Sequence, residues 1–534
     1  MEYDTILRKV GEFGKYQKVF LVIVAISSIF NAMTTFVLSF VFGEHAHRCK
    51  ISDLDDHYTS PGPVLLNTTN GIQEYNVTEC HIQINGTTIE CNDWIYDSSL
   101  FKATIISKFD VVCDEKLYRA HFLMAHYVGL LIGSILSGLL SDLVGRKPTM
   151  LIGIVMLLFS MGLRPFMPYF SLVSILEFFN GAGSMISYMC PFIILTEMVG
   201  PKQRILANFA VYITFCAGNY ILLFLAYYLR DWSVLYWVIT IFVAAYMIVM
   251  IFVSESPRWL LSRGRTREGL AILKKMAIFN GKTLEISVEN VVVKEIHRTS
   301  FLDFVKTLMK SKKLVGRLLV ICLNWFAIAM TYYGISMNVA KFSGDVFVNF
   351  AASSSAEFVA IIFCWIVTDR VGRKGLFSSA MILGGVTCIC TIFTSLYADK
   401  SLLWLTTTLA MVGKFFCTVT FFVIFLFTAE LFPTVLRASV LGVASMTGRI
   451  GSISSAYVGE LGDIIKTKFG VALPLIVLGS FGLMAGLLSL TLPDTTNTCL
   501  PESIDDAKGI QISKKNENGT AVNECELETL TEKI

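Results

Sequence analysis

The sequence predicts an all-α membrane protein with twelve membrane-crossing helices in two halves of six. Three observations predict it. The 534 residues are 54% hydrophobic and only 16% charged, against roughly 25% charged in soluble domains. The apolar residues gather into twelve runs long enough to cross a bilayer. Two stretches 227 positions apart nearly repeat each other, Asp142-Leu143-Val144-Gly145-Arg146-Lys147 and Asp369-Arg370-Val371-Gly372-Arg373-Lys374, each set between two apolar runs.

The first six spans are expected near 19–42, 120–141, 148–168, 170–195, 206–229 and 233–254. The second six are expected near 315–337, 346–367, 375–397, 402–428, 438–459 and 471–492. Mean hydropathy is +0.63. Charges interrupt Met1–Lys18 and no cleavage-like site follows, so Val19–Phe42 reads as a retained first span. At about 1.5 Å per residue such a run crosses a hydrocarbon core of about 30 Å. A second pair of motifs echoes the first: Glu197 with Arg204 and Glu430 with Arg437, each seven residues apart. Two motifs in the same order in both halves mark a duplicated unit, a plan characteristic of membrane transporters.

The organisation follows. Residues 1–18 form a cytoplasmic N-terminus, 19–254 a six-helix bundle with an extracellular loop at 43–119, and 255–314 a cytoplasmic linker. Residues 315–492 form the second bundle, and 493–534 a polar, disordered cytoplasmic tail. Charge fixes the orientation: 43–119 holds 6 Lys/Arg against 12 Asp/Glu, whereas 255–314 holds 13 against 6. Basic loops mark the cytoplasmic side, so both Gly-Arg-Lys turns and both termini belong there, in a plasma-membrane protein. Asn67, Asn76 and Asn85 head glycosylation sequons in the 43–119 loop. Cys49, Cys80, Cys91 and Cys113 permit two disulfides in three connectivities, which suits an oxidising face. Asn518 also heads a sequon, but in the tail, where no glycan is expected.

Charges inside spans call for a functional reading. Glu357 lies 12 residues before Asp369 and Arg449 lies 12 residues after Arg437, each about 18 Å into its helix. Both therefore sit near mid-depth, where transporter substrates bind. They either bridge one another or meet substrate, and substrate can compete with the bridge. No metal-ligand set, phosphate-binding loop or Ser/His/Asp arrangement is found. The sequence thus predicts no catalytic residue, no cofactor and no enzyme, and the basic linker lacks the aromatic interleaving of a nucleic-acid module.

The chain resembles the major facilitator superfamily in Gly138, Asp142, Gly145, Arg146 and Lys147, with Trp365 in place of the leading small residue in the second copy. Glu255-Ser256-Pro257-Arg258-Trp259 after the sixth span narrows this, as does Thr428-Ala429-Glu430-Leu431-Phe432-Pro433-Thr434-Val435-Leu436-Arg437 after the tenth. With the large loop after the first span, these residues resemble the organic cation/anion/zwitterion transporter family, including its carnitine and organic cation members. The resemblance runs from Gly11-Glu12-Phe13-Gly14 to Pro493.

That resemblance implies the major facilitator fold and transport of a small organic ion by alternating access. It implies a latch of Asp142, Arg146, Glu197, Arg204, Asp369, Arg373, Glu430 and Arg437. Arg449 matches an arginine of anion and zwitterion members, and Glu357 an acidic position of cation and zwitterion members; Ile361 stands where anion members carry lysine. A carnitine-like or betaine-like zwitterion, or an organic cation, is thereby expected; an organic anion, or a transport-dead receptor-like relative, is the alternative. Tyr188, Tyr212, Trp325, Tyr332, Tyr333, Phe422 and Phe425 match cavity positions, where aromatic faces attract ammonium groups. Asn31 matches a first-span asparagine whose plain role is an interhelical hydrogen bond. The other partners expected are the bilayer and a coupling ion (sodium or proton) or counter-substrate, in a monomer that binds no nucleic acid. Glu177 departs from the family, which has arginine there. It is expected to place negative charge near the outer entrance, with Arg164 available to compensate.

Overall fold

The structure is a computed structural model. It describes the chain from Tyr3 to Thr495 apart from 286–305 and short breaks at 44, 52–54, 56, 69–70, 85–86, 201–202, 307, 310, 343, 398–402 and 465–467. Asn85, Asn518 and the expected tail beyond 495 lie outside the described residues. The chain divides into two compact units, 1–292 with 337–350, and 293–336 with 351–534.

In the first unit the spans are Lys15–Phe36 (continued by Leu38–Val41), Leu117–Leu143, Arg146–Leu163, Phe170–Met198, Arg204–Leu229 and Trp232–Ile251. Most ends fall within three residues of expectation; the first span starts four residues early and the third ends five early. Local chemistry sets several of them. Asp231 caps the sixth span, its Oδ1 accepting from the backbone N–H groups of Ser233 at 2.8 Å and Val234 at 3.2 Å. Spans two and four approach so closely that a Cβ on Gly133 would lie 2.5 Å from the Ala182 carbonyl oxygen. Small residues at such crossings let backbones pack where no hydrophobic drive operates.

The second half supplies Lys312–Met337, Val346–Val371, Arg373–Tyr397, Leu403–Leu431, Thr434–Val458 and Lys468–Ser489. Among the described residues, eleven helices are long and apolar enough to cross a membrane. The helix missing from that set is Thr434–Val458. At 25 residues it has the length, but Arg449 and its many Ser, Gly and Thr residues dilute its apolarity.

Among the helices not foreseen are Tyr3–Val10, Pro257–Ser262 and Thr266–Phe279. They dock on the first unit, so 255–285 is not a bare linker. Asn280 joins them to the first span, accepting from the Tyr16 N–H at 2.9 Å and donating to the Val10 carbonyl at 3.1 Å and to buried Gln17 at 3.0 Å.

The 43–119 segment, read from sequence only as a loop, contains two small sheets. Strands β1 (His47–Cys49) and β6 (Trp94–Tyr96) pair antiparallel. Between them β2 (Gly62–Thr68), β3 (Gly71–Val77), β4 (His81–Ile84) and β5 (Thr87–Glu90) form a four-stranded meander. Of the three connectivities, the structure has Cys49–Cys91 and Cys80–Cys113. Cys49, Tyr75 and Val77 form a small core with Val64 and Ile82 against it. So small a core needs covalent and ionic support. Arg48 supplies the latter: its guanidinium donates to Asp55 Oδ2 at 2.6 Å and Oδ1 at 2.7 Å, and to the His57 carbonyl at 2.8 Å, with both charged side chains buried.

The hydrogen bonds from Arg48 hold the Asp55 carboxyl below its ordinary value of 3.8. A depressed carboxyl stabilises the fold above its unfolded value, and that contribution is lost as pH falls through the folded value. Protease resistance of this segment is therefore expected to persist at neutral pH and to decline as pH drops below 3.8. Arg48→Met, which strands a buried carboxylate at a cost of about 3–5 kcal/mol, is expected to expose the segment to protease already at pH 7. Equal resistance of variant and parent at pH 7 would remove the ion pair from this account.

Candidate functional site

The second unit brings Glu357 of the eighth span together with a residue that sequence reading passed over. Lys414, in the tenth span, lies 2.7 Å from Glu357 Oε1, and the two side chains are 0% and 4% exposed. The ammonium also donates to the Tyr332 carbonyl at 3.3 Å and to the Ser336 hydroxyl, and sits 3.2 Å from the Tyr332 ring centroid. An ammonium has three donors, and here three acceptors surround it. The sequence reading left Glu357 either to bridge Arg449 or to meet substrate; Lys414 is a further partner at short range. Lys414 is the single charge within the 402–428 run, and that signal was available.

Four of the aromatic residues expected in this half, Trp325, Tyr332, Tyr333 and Phe425, are linked through Phe421 into one cluster that reaches Lys414 at Tyr332. Tyr332 packs against Tyr333 with centroids 5.2 Å apart and against Phe421 at 5.3 Å. Trp325 packs edge-on to Phe425 at 4.5 Å, and its indole N–H donates to Thr428 Oγ1 at 3.1 Å. Phe421 and Thr428 were not foreseen as site residues. Phe422 is half-buried in the same helix as Lys414. Arg449 is half-buried in the middle of Thr434–Val458.

In the first unit Asn31 Oδ1 accepts from Ser184 Oγ at 2.8 Å, and Ser184 also meets Thr34 at 3.0 Å, tying spans one and four. Tyr188 stacks on Phe192 one turn on, with centroids 6.5 Å apart. Tyr188 and Tyr212 are both half-buried.

The two Gly-Arg-Lys turns are built alike. Arg146 donates to Asp142 Oδ1 at 2.7 Å and to Glu197 Oε1 at 3.3 Å. In the second half Arg373 lies 3.3 Å from Glu430 Oε1, so the arginine of each turn meets the glutamate ending the helix two spans after it. The third span begins with a further carboxylate: Glu255 accepts from the backbone N–H groups of Arg146 at 3.1 Å and Lys147 at 3.1 Å, where the helix dipole favours an anion. Gly145 turns the chain with φ +116°, and a Cβ there would lie 2.5 Å from Glu255 Oε2. Tyr3 donates to the Glu197 carbonyl at 2.7 Å, and Thr495 to Glu430 Oε2 at 2.5 Å. Arg437 donates to the Ala429 carbonyl at 2.7 Å, at the C-terminal end of the tenth span. The side chains of Arg204, Asp369 and Asn67 lie outside the described residues; Asn76 is exposed on β3.

Glu177 corrects an expectation. It is 0% exposed and bonded to Arg164 and His126 inside the first unit. Its charge is neutralised by Arg164 rather than displayed at an entrance. The compensating role expected of Arg164 is what the geometry shows; His126 was not foreseen.

A buried ion pair contributes little net stability, yet removing one partner costs about 3–5 kcal/mol. Lys414→Met is therefore expected to lower the thermal stability of the purified protein strongly, and adding Glu357→Gln is expected to restore much of the loss. A double variant as unstable as the single one would show that the two residues do not act as a pair.

The Major Facilitator Superfamily model matches residues 120–456. The organic cation transporter protein of Drosophila melanogaster is 30% identical, with 95% of each chain covered. The human organic cation/carnitine transporter 2 is 28% identical over 94% of this chain and 93% of its own. In fold, the crystal structure of a D-xylose–proton symporter superposes with a TM-score of 0.59 at 13% identity, covering 90% of this chain and 99% of the symporter. These likenesses join the paired arginine–glutamate turns and the twelve spans in one assignment. The chain is not an enzyme but a multi-pass membrane protein of the Major Facilitator Superfamily, in the branch that holds the organic cation and carnitine transporters.

Proposed function

We propose that the chain carries a small organic ion with an ammonium group across the plasma membrane by alternating access, preferring a carnitine-like zwitterion to a simple cation. The observation that carries this is the pairing of Glu357 with Lys414. It cancels the one carboxylate at mid-span and leaves the three ionisable groups, Glu357, Lys414 and Arg449, with a sum of one positive charge. Arg449 then holds the substrate carboxylate. The ammonium group rests on the aromatic cluster of Trp325, Tyr332, Tyr333 and Phe425; Phe422, and in the first half Asn31, Tyr188 and Tyr212, are further candidate contacts. Glu357 meets the ammonium only by exchanging it for Lys414. The names of the relatives, organic cation and carnitine transporters, support the substrate class.

The proposed latch comprises Asp142, Arg146, Glu197, Arg204, Asp369, Arg373, Glu430 and Arg437, breaking and reforming on the cytoplasmic side. Charge asymmetry of the loops supports cytoplasmic termini and an extracellular 43–119 segment, with glycans on Asn67, Asn76 and Asn85. Two bundles, 19–254 and 315–492, would move about the site in a monomer. The driving ion is sodium or a proton, or a counter-substrate takes its place.

The positive sum also favours a second reading, an organic anion, in which Arg449 alone selects the solute. Competition uptake with matched cation, anion and zwitterion analogues separates the two. Zwitterion competition is expected to be strongest. Arg449→Ala should lower zwitterion uptake by tenfold or more, the loss of a charged hydrogen bond of about 1.5–3 kcal/mol, while sparing the cation. Unchanged zwitterion uptake would sink the assignment of Arg449, and strongest competition by the anion would select the second reading.

A further inference from the structure

One buried network takes no part in the function proposed above. His126 comes from the second span, Glu177 and Asn180 from the fourth, and Arg164 from the turn that closes the third. Glu177 Oε1 accepts from His126 Nδ1 at 2.6 Å and from Asn180 Nδ2 at 2.9 Å. Arg164 Nη2 lies 2.7 Å from Glu177 Oε2. All four side chains are fully buried. The guanidinium also stacks over the Tyr236 ring of the sixth span, 4.3 Å from its centroid, and lies 5.9 Å from that of Phe122.

Glu177 is already neutralised by Arg164, and Asn180 shares its other oxygen. A tie between helices needs nothing more. His126 adds the one side chain whose charge ordinarily changes between pH 5 and 8. To donate to a carboxylate, Nδ1 must carry the ring hydrogen. The other nitrogen, Nε2, is then a bare base, buried and without a hydrogen-bond partner among the described residues. The titratable or charged groups around the ring are Glu177, Arg164, Tyr236 and Tyr127, whose own ring lies 5.7 Å from the imidazole.

We propose that His126 is a proton-binding site that links solute movement to pH. A proton from water adds to Nε2, and the imidazolium then shares the Glu177 carboxylate with Arg164. The network passes from zero net charge to one positive charge. Such a charge is costly in a dry interior, so the protonated form belongs to the conformation that admits water or loosens Arg164. A ligand that binds one conformation better shifts the equilibrium towards it, and here the ligand is the proton. This rests on the transporter reading, and the test separates the two.

Net uptake of a carnitine-like zwitterion and of an organic cation is measured in proteoliposomes from pH 5.5 to 8, together with solute exchange at pH 7. Net uptake by the parent is expected to vary about threefold or more across that range. His126→Asn keeps a donor for Glu177 but does not titrate; it should flatten that profile while exchange stays within about twofold of the parent. His126→Gln serves the same purpose if the first variant does not fold. A parent rate independent of pH would overturn the proposal. So would a variant that is slower at every pH with the profile unchanged, the mark of a purely structural histidine. Absence of flux for any solute in the parent would instead overturn the transporter reading, and this inference with it.

Discussion

The cost of burying charge in a nonpolar interior organises this molecule. Within its membrane-crossing helices each half holds a fully or nearly fully buried glutamate met by a cation from a different helix at 2.7 Å: Glu177 by Arg164, Glu357 by Lys414. A carboxylate without such a partner would not remain ionised there. The pairs do not gain much net stability. They fix which helices must be neighbours, because a helix that rotated away would strand a charge. The aromatic rings then fill the space around a cation whose valences are already spent, as Tyr332 does over Lys414.

The same constraint is relaxed at the Gly-Arg-Lys ends. Arg146 and Glu197 are partly accessible, and so are Arg373 and Glu430. Pairs that reach water contribute little, which suits the breaking and reforming proposed for them. Strong ties are thus buried within each half, and weak ones lie where the chain turns. Glu255 adds a different kind of contact, an anion on a helix N-terminus. It couples the Pro257–Ser262 helix to the start of the third span without any opposing side chain.

Much of this was legible in the sequence. Twelve apolar runs gave the spans to within a few residues, because hydrocarbon thickness imposes length on them. The repeated turn pointed to Arg146 and Arg373, each of which meets a glutamate near the end of the second helix after it. Lys414 and His126 each interrupt an apolar run, but a lone polar side chain in a span does not tell which neighbouring helix it faces. Partner identity was the harder part: Glu357 had two basic candidates at similar depth, and only helix rotation decides between them. The strands of 43–119 left little signal, since short polar hairpins alternate weakly and disulfide connectivity is not encoded in spacing.

Those strands have a consequence for how the chain is assembled. Strand β1 pairs with β6, so residues 47–49 and 94–96 lie side by side, and everything between them is closed off by that seam and by the Cys49–Cys91 bond. For the first and second spans, the connection is then only as long as the pieces outside the seam. The intervening meander is tied a second time, by the Cys80–Cys113 bond, to the residues just before the second span. Because loop-closure entropy grows only slowly with length, residues can be gained or lost between β2 and β3, away from both disulfides, with little effect on the spans. That hairpin can change in length and sequence while the membrane-crossing helices keep their register.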